Sequence, residues 1–155
     1  YTANQANINK LIARSRWNNI FCQPMDTYTR RQNVINTFAS ATNEADTSAA
    51  RRGLAHVDRY HAVNLCAYAK YGTLEFRQHQ GTLNGEKLTS WVRFLMGLTE
   101  KAVTMTDATT DFGGLDTMLN ELPLNVQTRS FLTARADRLE RSREDARLRA
   151  SGVTN

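Results

Sequence analysis

Thr73-Leu74-Glu75-Phe76-Arg77-Gln78-His79 is the most strand-like run in the chain, and its alternation sets the reading of everything around it. In an extended segment successive side chains point to opposite faces. Leu74 and Phe76 therefore share one side, and Glu75, Arg77 and His79 the other. The first pair is apolar and suits contact with helices. The second set puts an acid, a guanidinium and an imidazole in a row. Residues 60–68 also read as extended, and Ala69-Lys70-Tyr71-Gly72 reads as a turn, so the two runs predict an antiparallel β-hairpin. An even-numbered loop puts Asn64 and Cys66 on the Glu75 face; an odd loop or a bulge moves them off it.

Outward from the hairpin the periodicity is helical. Downstream, Asn84 suits an N-cap, and Leu88, Trp91, Val92, Leu95, Leu98 and Ala102 fall on one stripe of a helix. Trp91, Phe94 and Leu95 read as core rather than as a stacking platform. Asp111-Phe112-Gly113-Gly114 shares three letters with the kinase magnesium motif and no other part of that signature, so it reads as a helix break. A short helix carries Leu115, Met118, Leu119 and Leu122 and stops at Pro123; Asn125 caps a last helix to about Ala150. Upstream, Ile8, Leu11 and Ile12 predict a short helix within residues 3–14. Residues 14–24 read as a connector into a short extended piece, residues 27–38 as a modest helix, and residues 39–52 as a mobile surface loop or weak helix. The class is α+β over a single domain, 1–155: a helical and loop lead-in over 1–58, a hairpin core over 59–82 and a helical segment over 83–150. Two strands make a poor sheet alone, so further strands are expected from a preceding segment or from another chain.

The 155 residues are 41% hydrophobic and 23% charged, enough to bury a core. No apolar run approaches the ~20 residues that span a bilayer, so no membrane partner is expected. Cys22 and Cys66 lack metal-type spacing, and a reduced, cytoplasmic setting is the default, with a single disulfide left open. Cys66 reads as a small buried residue rather than a nucleophile. The net charge of +5 hints at phosphate-bearing partners. The seven arginines between Arg129 and Arg149 alternate with Asp137, Glu140, Glu144 and Asp145, however, which is the pattern of a solvated helix face. Nucleic acid is therefore not an expected partner.

The Glu75 face has a chemistry of its own. A carboxylate can hold Mg²⁺ alongside phosphate oxygens, and an arginine two residues on can neutralise a transferring phosphoryl group. Those are the needs of an enzyme that makes an acyl phosphate from a carboxylate and ATP. By spacing alone, Glu-x-Arg is more often an ion pair on a sheet surface, and His79 a hydrogen-bonded structural histidine.

Several separated motifs agree on one resemblance. Arg59-Tyr60-His61-Ala62-Val63-Asn64-Leu65, then residues 72–83 around Glu75-Phe76-Arg77-Gln78-His79-Gln80, then Trp91-Val92-Arg93-Phe94, resemble the amidoligase family in its order. Ser15-Arg16-Trp17-Asn18-Asn19-Ile20-Phe21-Cys22-Gln23-Pro24 is similar to its upstream Arg-x-x-Asn-x-[Tyr/Phe]-Cys-x-Pro element. The resemblance implies a glutamine-synthetase-like antiparallel sheet, kin to that of glutamate–cysteine ligase, whose concave face holds ATP, Mg²⁺ and substrates. It implies that Glu75 binds Mg²⁺ and Arg77 the phosphate or acyl phosphate. Arg59, Asn64 and Arg16 would hold nucleotide or substrate, and His79 matches the catalytic pattern without a definite role. The implied partners are peptide or protein carboxylates and amines, and family members occur in bacterial gene clusters and phage genomes. The family's N-terminal carboxylates have no counterpart here, and the first residue is Tyr1. The chain is therefore expected to be the C-terminal half of such a domain, inactive alone, completed by the missing half or another chain. The competing expectation is a non-catalytic structural or interaction protein, such as a virion component, that keeps part of the fold.

Overall fold

The run around Glu75 does fold back antiparallel on its upstream neighbour, but through only two residues on each side. The computed structural model describes residues 1–17, 19–25, 36, 40–56, 59–107 and 110–152. The helix expected over 27–38 lies outside the described residues but for residue 36. In chain order the described α-helices are α1 (Gln5–Lys10), α2 (Glu44–Gly53), α3 (Cys66–Tyr71), α4 (Gly85–Thr104), α5 (Leu115–Glu121) and α6 (Val126–Ala150); the strands are β1 (Val63–Asn64) and β2 (Glu75–Phe76). The class is α+β, as the sequence predicts. The chain forms two compact units, Ser15–Gln78 and a second made of Tyr1–Arg14 with His79–Asn155.

In the Ser15–Gln78 unit, Val63 pairs with Phe76 and Asn64 with Glu75. The expected four-residue turn at 69–72 is instead the end of α3, so the connection runs from residue 65 to residue 74. That length is still even, so Asn64 keeps the Glu75 face. Cys66 does not: it opens α3, its N–H donating to Asn64 Oδ1 at 3.0 Å. Gly72 closes α3 at φ 73°, a left-handed conformation that favours glycine. The Arg51 guanidinium sits where a Gly72 Cβ would point and donates to the Tyr68 carbonyl at 2.8 Å. The expected strand to His79 stops early. Arg77 N–H still donates to Ala62 O at 2.8 Å, but the Arg77 and Gln78 carbonyls are both taken by the Arg16 side chain. Leu74, expected against helices, lies before the strand and is exposed. Gln23 adds the extended piece predicted in the connector, bridging parallel to His61. Residues 44–53, read as loop or weak helix, form α2 because the Asn43 side chain accepts from Asp46 N–H.

In the second unit the local signals hold closely. Asn84 and Asn125 cap α4 and α6 by accepting from Lys87 and Thr128 N–H. The buried face of α4 is rotated from the expected stripe, however. Ser90, Trp91, Phe94, Gly97 and Leu98 are buried, whereas Leu88, Val92 and Ala102 are exposed. The cause is close approach at Gly97, where an added Cβ would meet Leu124 Cδ2 at 3.1 Å and Pro123 Cδ at 3.5 Å. Ile8, Leu11, Ile12, Phe94, Met118, Leu119, Leu122 and Leu132 form the centre of this core. α1 is held at its C-terminal end by two arginines of α6. Arg135 Nε donates to Leu11 O at 2.8 Å, and Arg143 Nη2 to Asn9 O at 3.2 Å and Ile12 O at 3.0 Å. Carbonyls at a helix end have few backbone donors in reach (Asn9 O accepts from Ile12 N–H at 3.3 Å), so the arginines add to their bonding, and a cation there also suits the helix dipole.

Arg143→Ala is expected to lower stability by about 2–3 kcal/mol, because buried carbonyls lose a charged donor. Asn125→Ala is expected to cost about 1 kcal/mol. Both should appear as lower urea midpoints at unchanged slope.

Candidate functional site

The candidate site is built around one carboxylate and one amide facing each other across the β1–β2 pair. Their register is direct, so the side chains rise from the same face, and Asn64 Nδ2 donates to Glu75 Oε2 at 2.6 Å. Two residues on, Arg77 Nη1 donates to Glu75 Oε1 at 3.1 Å. Each carboxylate oxygen thus holds one protein donor and keeps further lone-pair capacity. The Glu75 side chain is 49% exposed and Arg77 23%, so the acid remains open to solvent while its arginine is largely enclosed. Asn64 is itself buried, its Oδ1 engaged by the Cys66 N–H.

Arg77 is oriented from three sides. Beyond the ion pair, its Nε donates to the Phe21 carbonyl at 3.1 Å and its guanidinium lies 5.6 Å from the Tyr60 ring centre. Arg59 lies 4.9 Å from the same ring and donates to the Tyr60 hydroxyl at 2.8 Å. Phe21 meets Tyr60 edge to face at 5.7 Å. One tyrosine therefore gathers two guanidiniums beside Glu75 through cation–π attraction. Sequence reasoning did not single out Tyr60 or Phe21. The Arg59-Tyr60 dipeptide was a usable signal for the first, whereas the Phe21 carbonyl contact has none. The Tyr60 hydrogen bond holds the Arg59 proton more tightly than usual.

Arg16 sits differently from the other candidates. Its Nε and Nη2 donate to the carbonyls of Gln78 and Arg77, so this fork fixes the backbone that carries Arg77. His79 belongs to the second unit, where its ring stacks on Trp91 at 4.9 Å. The structure thus brings Glu75, Arg77, Asn64 and Arg59 together, with Arg16 behind the strand end. Cys22, fully buried nearby, has its thiol pushed up by burial, with Arg16 and Arg77 acting in the opposite sense. Both cysteines are free.

Among the described residues no group of three or more His, Cys, Asp or Glu could hold a metal ion. A lone carboxylate with spare lone pairs does fit the way Mg²⁺ is commonly bound, through one or two carboxylates plus substrate phosphates. Among the described residues no helix is long and apolar enough to cross a membrane.

A family model described as "Putative amidoligase enzyme" matches residues 1–99, which include every residue of this cluster. No curated protein and no solved structure matches the chain significantly.

Two outcomes follow from the geometry. Asn64→Leu removes a donor from Glu75 and an acceptor from Cys66 N–H, and is expected to cost about 2 kcal/mol in chemical denaturation. Cys22 should resist thiol reagents in the folded chain while Cys66 reacts. Its raised pKa means that its contribution to stability is full below the unfolded thiol's range, near 9.0, and is lost as pH rises above it. Denaturation midpoints of the parent and Cys22→Ala across that range check the sign.

Proposed function

The chain belongs to the amidoligase enzyme family, and on that footing we propose that it takes part in ATP-dependent joining of a carboxylate to an amine through an acyl phosphate. The observation that carries this reading is the Asn64–Glu75–Arg77 arrangement, within the family-matched residues, with a second guanidinium gathered by Tyr60.

Glu75 would be an oxygen ligand for Mg²⁺, which would neutralise phosphate charge in the reaction. Asn64 keeps that carboxylate aimed outward by holding Oε2. Arg77 turns toward the phosphoryl oxygens, and Arg59, wholly at the surface, meets the nucleotide or substrate anion as it arrives. Arg16 acts one step back, clamping the consecutive carbonyls of Arg77 and Gln78 so that the Arg77 guanidinium stays in place. His79 matches the family pattern without a definite role in the reaction.

In this reaction the substrate carboxylate oxygen attacks the γ-phosphorus, ADP leaves, and the amine nitrogen then attacks the acyl carbon, losing a proton as phosphate departs. Charge builds on phosphoryl oxygens and then on the acyl oxygen, and fixed cations stabilise both. The sheet is of the glutamine-synthetase kind, and the remaining metal-binding carboxylates come from a preceding segment or another chain. Peptide or protein carboxylates and amines are the substrate class.

Calorimetric titration with a non-hydrolysable ATP analogue and Mg²⁺ tests the reading. Binding is expected to weaken by about 10- to 150-fold in Glu75→Ala and in Arg77→Ala, the worth of a charge-assisted contact. Binding indifferent to both substitutions would remove this site from the reaction; no binding to the unsubstituted chain would mean that the site needs the remaining carboxylates, or that the chain serves as structure.

A further inference from the structure

Helix α4 is apolar around much more of its circumference than its own unit covers. Trp91, Phe94, Gly97 and Leu98 line the buried side. On the opposite side Leu88 is 50% exposed, Val92 46%, Met96 66% and Val103 82%. Half-buried Leu95 and exposed Thr99 lie between them, and the Thr99 hydroxyl donates back to the Leu95 carbonyl at 2.8 Å. At 3.6 residues per turn, positions 88, 92, 95, 96, 99 and 103 share an arc of about 100°. Scattered apolar residues on a surface are ordinary, but a continuous stripe along a helix marks an interface.

The order of the stripe says what covers it. Its positions are symmetric about a point midway between Leu95 and Met96: Leu88 and Val103 are equidistant from that point, and so are Val92 and Thr99. A stripe with this symmetry is complementary to itself when two copies run antiparallel, the isologous geometry of a two-fold dimer. The charges on its open rim agree. Arg93 and Glu100 are both exposed and lie on the same side of the stripe. In an antiparallel pair that side meets its own copy, with Arg93 of one helix within about 3 Å axially of Glu100 of the other. Two reciprocal opposite-charge pairs result, whereas a parallel pairing gives no such match.

We infer that α4 is a self-association surface, joining two copies of this chain antiparallel through Leu88, Val92, Leu95, Met96, Thr99 and Val103, with Arg93–Glu100 pairs fixing direction. One helix pair falls short of the ~1,200–2,000 Å² of a standard interface, so the dimer is weak and concentration-dependent.

Sedimentation velocity of the 155-residue chain from about 5 to about 500 μM tests this, a range that brackets micromolar association. A monomer–dimer equilibrium is expected. Met96→Glu should abolish it, and Arg93→Glu should weaken it at least about tenfold. The double variant Arg93→Glu/Glu100→Arg should restore the parental constant, since the pairs reform with signs exchanged. All these positions are exposed or at the rim, and circular dichroism of each variant establishes that it folds. A chain that stays monomeric throughout, a dimer that survives Met96→Glu, or a double variant no better than Arg93→Glu overturns the inference.

Discussion

The Ser15–Gln78 unit depends on one amide. Asn64 is buried at the end of β1, and its two polar atoms do two jobs: Nδ2 holds Glu75 across the strand pair, and Oδ1 receives the Cys66 N–H that opens α3. A side-chain amide offers a donor and an acceptor on one planar group, and the short reach of asparagine serves a neighbour two residues away. The same group thus sets strand register, starts the helix that replaces a tight turn, and aims the candidate site's acid. Because the pleat has a period of two, the ten-residue connection between residues 65 and 74 places Asn64 and Glu75 on one face as surely as a short hairpin would.

Arginine does much of the remaining structural work. Arg51 caps α3, Arg16 ends the β2 ladder, Arg129 donates to the Leu119 and Leu124 carbonyls, and Arg135 and Arg143 hold the end of α1. A planar fork satisfies two carbonyls at fixed angles, which a lysine point charge does not. This changes the meaning of the basic excess. Several guanidiniums that look from composition like a footprint for phosphate are spent on carbonyls left over at helix and strand ends. Arg59 and Arg77 are instead gathered by the Tyr60 ring beside Glu75.

Helix α4 shows how an amphipathic pattern can mislead. Its sequence is apolar on more than half of its circumference, so periodicity alone admits two faces. The stripe read from periodicity ran through Leu88, Trp91, Val92, Leu95, Leu98 and Ala102, of which Trp91 and Leu98 are buried. Packing chose the face with Ser90 and Gly97 because small side chains let Pro123 and Leu124 come close. Leu88, Val92, Met96 and Val103 were left outside, on the exposed stripe, while Trp91, Phe94 and Leu98 went in with the small residues.

What the sequence by itself determined is what rests on neighbours a few residues away. The Asn84 and Asn125 caps, the stop at Pro123, the helix through Leu115, Met118 and Leu119, and the shared face of Glu75 and Arg77 are all set by backbone geometry over one or two turns or one pleat. The family motifs were likewise legible as ordered residues. Tertiary structure alone decided where β2 ends, which side of α4 is buried, that residues 66–71 coil rather than extend, and that Arg16 serves the backbone. Each of those depends on which carbonyl or surface arrives from far along the chain: Arg16 reaches across 62 positions to Gln78, and Arg143 across 131 to Ile12. No local pattern encodes such a partner, because the energy of the contact exists only once the fold has brought its two halves together.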